Sequence, residues 1–202
     1  SSLGKDFPVI IGEWNSSAGP LAFNHDDCNN AAYIAKTMID LMPLCQGSLV
    51  WNISDIYEEC NFHYEPFHGG YGQLTVNDIP KTCFHAFRLL NQHAGQQVSL
   101  TMEDAPDGIG GLASHDGATT RILLYYYLEP GQETTTPVSI ALEGLKAKTQ
   151  DATLEVIRPH TGSAYETWVD LGKPDYVNRK VLDALESASI PERQTINLRK
   201  AF

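Results

Sequence analysis

Phe7-Pro8-Val9-Ile10-Ile11-Gly12 is a short, nearly all-apolar run that ends on Glu13-Trp14-Asn15-Ser16-Ser17. A second such run, Ser48-Leu49-Val50-Trp51-Asn52-Ile53, ends on Ser54-Asp55-Ile56-Tyr57-Glu58-Glu59. Runs of this length, apolar on both faces, mark strands of a buried parallel sheet. Between them Asp26 or Asp27 offers an N-cap, and Ala31, Ile34, Ala35, Met38, Ile39 and Met42 recur at helical spacing until Pro43 and Gly47. After the second run, a loop rich in aromatic residues, His and Gly reaches about Asn77, and Pro80 opens a helix carrying Cys83, Phe84, Phe87, Leu89 and Leu90. Strand, helix, strand, helix in this order implies an α/β barrel or a doubly wound sheet.

Past Gln92 the pattern changes to short strand-like runs: Val98–Met102, Gly111–Ser114, Arg121–Leu128, Val138–Leu142 and Thr153–Arg158. Turn signals such as His115-Asp116-Gly117 and Pro130-Gly131 separate them, as in an antiparallel sandwich. A helix is expected over Val177–Ala188 and a closing strand over Thr195–Leu198. The reading therefore divides the chain into residues 1–93, α/β, and residues 94–202, all-β. Two βα units would leave apolar faces and unpaired edges in water, so the first segment is expected to be the tail of a larger barrel.

At 202 residues, 42% hydrophobic and 19% charged, the chain has the composition of a soluble globular protein. No run of about 18 apolar residues is present. The net charge of −11 repels phosphate backbones and anionic lipid, which argues against nucleic acid and membrane surfaces as partners and leaves a neutral ligand such as a sugar. Composition does not separate a cytoplasmic from a secreted location. Cys28, Cys45, Cys60 and Cys83 are read as free thiols rather than a disulfide framework. Cys60, His63, His68, Cys83 and His85 lack the two matched ligand pairs of a zinc site, so neither metal nor cofactor is expected. Phe67-His68-Gly69-Gly70-Tyr71-Gly72 lacks the spacing of a phosphate cradle; its glycines instead permit tight turns that bring His68 toward a ligand or neighbouring backbone.

In a barrel, strand C-terminal ends hold the active site, so Glu13 is placed to point at substrate, with Trp14 offering an aromatic face and Asn15 a donor and an acceptor. Aromatic and acidic residues interleaved after the second strand suit carbohydrate, whose C–H faces stack on rings while its hydroxyls bond to carboxylates. The sequons Asn15-Ser16-Ser17 and Asn52-Ile53-Ser54 fall at these same strand ends, where a glycan would block substrate.

These segments, with His25-Asp26, Ala31-Ala32-Tyr33-Ile34-Ala35-Lys36, Ile79-Pro80-Lys81, Ala86-Phe87-Arg88-Leu89-Leu90 and the weaker echo Gly162-Ser163-Ala164-Tyr165-Glu166-Thr167-Trp168, resemble glycoside hydrolase family 39. The β-xylosidase branch is closer than the α-L-iduronidase branch. The resemblance implies the last two βα units of a (β/α)8 TIM barrel, followed by a β-sandwich. It implies a retaining β-xylosidase mechanism with Glu13 as nucleophile and Trp51, Asp55, Glu58, Glu59 and His68 lining the sugar pocket. The partners implied are a xyloside or xylo-oligosaccharide and the N-terminal barrel portion of the same enzyme. Two departures stand out: Gly12, where the family is expected to carry Thr, and the absence of any Asn-Glu pair to supply the general acid/base. The chain alone is therefore expected to be inactive or weakly active. The other readings are an iduronidase-type hydrolase, whose anionic substrate would want basic pocket residues, and a non-catalytic carbohydrate-binding or assembly fragment.

Overall fold

The computed structural model describes residues 7–19, 21–57, 61–129, 132, 134–144 and 149–199. Strand β1 (Ile10–Trp14) leads through a short 3-10 turn into helix α1 (Cys28–Leu41), then strand β2 (Gly47–Val50) and helix α2 (Thr82–Leu90). β1 and β2 pair in parallel, with Ile10 opposite Gly47, Ile11 opposite Ser48 and Trp14 opposite Val50. An extra residue on β1 between Ile11 and Trp14 makes a bulge at Gly12 and Glu13. Of the two candidate caps of α1, Asp27 takes the position, its carboxylate accepting from Asn29 N at 3.1 Å and Asn30 N at 3.3 Å. Helix α2 begins at Thr82, two residues after Pro80, because the Lys81 backbone is still extended and donates to Gln73 O at 2.9 Å.

One face of this strand pair is covered. Trp14 and Val50, opposite each other in register, pack with Ala31, Ile34, Cys83 and Ala86 of the two helices. Ser48 Oγ lies 3.5 Å from Met38 Sδ on the same side. Ile10 and Leu49, on the opposite side of the pleat, are 63% and 60% exposed. A Cβ on Gly12 would meet nothing within 4 Å, so the threonine expected there would not disturb packing among the described residues.

Beyond α2 the sheets are antiparallel. Strands β3 (Gln96–Val98), β4 (Ile109–His115) and β5 (Thr120–Tyr126) form one sheet, and β6 (Thr149–Val156) and β7 (Glu192–Arg199) form another. Helices α3 (Tyr165–Asp170) and α4 (Arg179–Ala188) lie between β6 and β7. The strand expected over Val138–Leu142 is not formed. Val138 and Ile140 alternate as a strand would, yet both are more than half exposed and no described strand pairs with them. The short helix α3 was not foreseen, because six residues carry too little periodicity to read.

Both hydrophobic clusters draw on residues before and after position 93. Phe67 and Ile79 pack with Ala164, Trp168 and Leu185 of the α3–α4 segment, and Ile157 joins the cluster beneath β1 and β2. Asn29 clamps the chain after β5, its amide donating to Leu128 O at 2.6 Å and its Oδ1 accepting from Leu128 N at 3.1 Å. Arg88 of α2 pairs with Glu155 of β6. Because Leu185 is fully buried in a cluster shared by both halves, Leu185→Ala is expected to lower stability by about 2–5 kcal/mol. Urea unfolding should remain a single transition; separate transitions for the two halves would contradict the shared packing.

Candidate active site

Side chains alternate across a strand, so Trp14 facing the helices puts the bulged Glu13 on the other face of β1. Glu13 is exposed there, and no side chain among the described residues pairs with it. Trp14 does not supply the substrate wall expected of it. Its indole is half-buried against Tyr33, with centroids 6.4 Å apart, and its Nε1 is buried without a partner among the described residues. Asn15 holds the strand ends together. Its amide donates to Trp51 O and, at 3.4 Å, to Tyr71 O, while its Oδ1 accepts from Ser16 N at 2.7 Å. Trp51 N in turn donates to Trp14 O at 2.9 Å.

Behind β2 lies a group that sequence reasoning did not assemble. Lys81 Nζ, with no solvent exposure, sits 2.6 Å from Asp26 Oδ1 and 2.5 Å from Asp55 Oδ2, and donates to Gly70 O at 3.0 Å. The second oxygen of each carboxylate accepts a backbone amide: Gly69 N to Asp26 Oδ2 and Gly72 N to Asp55 Oδ1, both at 2.7 Å. His25 extends the network, with Nδ1–H donating to Gly69 O at 2.7 Å and Nε2 lying 3.0 Å from Ser17 Oγ. Its ring tilts over Tyr71 at 4.9 Å, and Tyr71 donates its hydroxyl to Ala18 O at 2.9 Å. The Asp55 carboxylate, expected to bind sugar, is fully buried and fully engaged; a role as substrate ligand does not fit this geometry.

Asn52, Ser54, Asp55, Tyr57, His68 and Tyr71 are among the residues lining a cleft of about 30 Å3. Trp51 meets Tyr57 edge-on at 5.3 Å beside it. His68 donates from Nδ1 to Glu65 O at 3.1 Å, which leaves Nε2 as the acceptor of the neutral ring, and it stacks on His63 at 4.5 Å. Trp51, Tyr57 and His68 are thus gathered around one cleft, which Glu13 does not line. Glu58 and Glu59, expected at the sugar, lie outside the described residues, as does Cys60. Among the described residues no three His, Cys, Asp or Glu side chains converge as metal ligands. No described helix is long and apolar enough to cross a membrane.

Residues 3–200 match the family Glycosyl hydrolases family 39. The chain belongs to that family. It is 30% identical over 192 residues to a beta-xylosidase of Caldicellulosiruptor saccharolyticus, and 28% identical over 181 residues to one of Geobacillus stearothermophilus. These matches take in 94% and 90% of the chain but only 39% and 35% of the relatives. A monomeric beta-xylosidase from Caulobacter crescentus CB15 superposes with a TM-score of 0.82 at 25% identity, over 98% of this chain and 42% of that one. The GH39 enzyme from Xanthomonas axonopodis pv. citri superposes with a TM-score of 0.79 at 25% identity, over 97% and 40%. The family 39 chain therefore spans about two fifths of the length of the proteins it matches.

Its buried charges are arranged to compensate one another. Burial pushes the Asp26 carboxyl up, and Lys81 pulls it back. Burial also opposes the charge on Lys81, but the two carboxylates outweigh it and hold the ammonium above its ordinary value. Burial keeps His25 below the usual histidine range, and so neutral. Cys83, buried beside this group, is pushed up to about 12 by burial and is inert as a thiolate nucleophile near neutral pH.

The glycine loop tolerates no added side chain at its centre. A Cβ on Gly70 would lie 2.3 Å from Asp55 Oδ1, whereas one on Gly12 meets nothing. Gly70→Ala is expected to cost roughly 1–3 kcal/mol in thermal or urea unfolding, and Gly12→Ala far less; equal costs would contradict the close approach. Asp27 gives a pH test. Burial raises its carboxyl from 3.8 to about 6, against the pull of the Asn30 amide. The folded chain then holds this proton more tightly than the unfolded one, so stability falls as pH rises between those values and is level outside them. Asp27→Asn keeps the cap and removes the titration. Across that window, urea curves of the parent should lose stability relative to the variant; parallel curves would contradict the assignment.

Proposed function

We propose that this chain is the C-terminal part of a retaining β-xylosidase. Residues 1–93 supply the last two βα units of a (β/α)8 barrel, and residues 94–202 an accessory β-sandwich. Glu13 is the nucleophile. The carrying observation is the facing of β1: Trp14 is packed against the helices, while Glu13 stands on the uncovered face at the C-terminal end of a parallel strand. Barrel enzymes carry their reacting groups at such strand ends. The beta-xylosidase names of the relatives support xyloside as the substrate class.

In this mechanism the ionised Glu13 attacks the anomeric carbon, the bond to the leaving oxygen breaks, and a glycosyl-enzyme forms. A second carboxyl group, about 5–5.5 Å away, gives its proton to that oxygen and later takes one from the attacking water. No Asn-Glu pair exists in this chain to supply it, so the acid/base comes from the remaining barrel portion. That portion also covers the apolar face left open at Ile10 and Leu49. The Trp51–Tyr57 pair and His68 form part of the wall beside the sugar, and Glu58 and Glu59 serve as hydroxyl ligands.

Labelling with a 2-deoxy-2-fluoro-xyloside, read by peptide mass, tests the assignment. The complete enzyme is expected to carry the label on Glu13, and Glu13→Ala to abolish turnover. The isolated chain should show little or no hydrolysis. Label on another carboxylate, or near-normal rates in Glu13→Ala, would overturn the reading.

A further inference from the structure

We propose that Lys81 is a positioning residue for sugar binding: its buried ammonium draws Asp26 and Asp55 together and so fixes, from behind, the glycine loop that walls the cleft. This rests on reading that cleft as part of the sugar site. Three chain segments meet at the ammonium: the turn before α1, the loop after β2 and the start of α2. Each carboxylate spends one oxygen on Lys81 and the other on a loop amide, Gly69 or Gly72, and the ammonium takes the Gly70 carbonyl directly. One side chain's charge therefore ties three backbone groups within four residues. The same loop turns His68, Gly70 and Tyr71 to the cleft, while Lys81 itself does not line it.

The arrangement is not the simplest way to fill a core. Well-packed apolar residues of similar volume are often as stable as a buried ion group, but they cannot hold amides and a carbonyl in set directions. A cation at a helix N-terminus is also opposed by the helix dipole, so Lys81 at the cap of α2 holds its place through its two carboxylates. Both carboxylates return to the cleft-lining loop, which is what a positioning role requires.

The test is Lys81→Met in the complete enzyme, with the fluoro-xyloside as probe. The concentration for half-maximal labelling should rise roughly 10–100-fold, while the maximal labelling rate changes little. Lys81→Met with Asp26→Asn, which returns the group's net charge to its starting value, guards against simple failure to fold and should show the same split. Amide exchange provides a readout that does not depend on Glu13. Gly69 and Gly72 should exchange faster in both variants, with α1 amides unchanged. Unchanged half-maximal concentration and unchanged glycine protection, with only a lower melting temperature, would overturn the proposal. If the parent enzyme takes no label, that failure belongs to the nucleophile reading, and the glycine amides alone decide on Lys81.

Discussion

A lysine ammonium sealed from water between two carboxylates is the constraint on which the rest of this site depends. Removing one partner of such a group leaves a buried charge uncompensated, at a cost of about 3–5 kcal/mol. The group therefore holds its members in one arrangement, and everything bonded to them inherits that arrangement. Through Asp26 and Asp55 it reaches the glycine loop, and through Gly69 it reaches His25, Ser17 and the turn that leaves β1. The two strand ends are joined a second time by Asn15, whose amide bridges the Trp51 and Tyr71 carbonyls. The loops that carry the candidate chemistry are thus braced by buried polar bonds, while the strands beneath them are short.

A second constraint sets direction. Covering one face of a two-stranded parallel pair with α1 and α2 decides which side chains are core and which are available. Trp14 and Val50 go to the helices; Glu13 and Leu49 are left on the other side. The C-terminal half does not stand apart from this unit, since Ile157 just after β6, Trp168 of α3 and Leu185 of α4 complete its hydrophobic clusters. Phe67, next to His68 in the loop, and Ile79 thus pack on α3 and α4 of the C-terminal half.

The two parallel strands, helices α1, α2 and α4, and an aspartate cap before α1 at Asp26 or Asp27 were legible because apolar periodicity and N-cap chemistry are local. The ordered motifs carried the family to the same conclusion as the match over residues 3–200. What could not be read was pairing at a distance. Asp26, Asp55 and Lys81 are far apart in sequence and fall in three separate motifs; a Lys opening a helix after Pro80 gives no sign that it is buried. That distance hides the Asp55 carboxylate, which Lys81 holds away from the sugar it is expected to bind; Trp14 departs for a local reason, since strand alternation turns its ring to the helices. Val138–Leu142 had the alternation of a strand but not the neighbour that a strand needs.

The most direct check of the central claim is a crystal structure of the complete enzyme trapped with a 2-deoxy-2-fluoro-xylosyl group. The account predicts continuous density from the Glu13 carboxylate to the sugar's anomeric carbon, with Lys81 still between Asp26 and Asp55 and the glycine loop against the sugar. An adduct on a different residue, or a sugar bound away from the cleft walled by His68 and Tyr71, would contradict it.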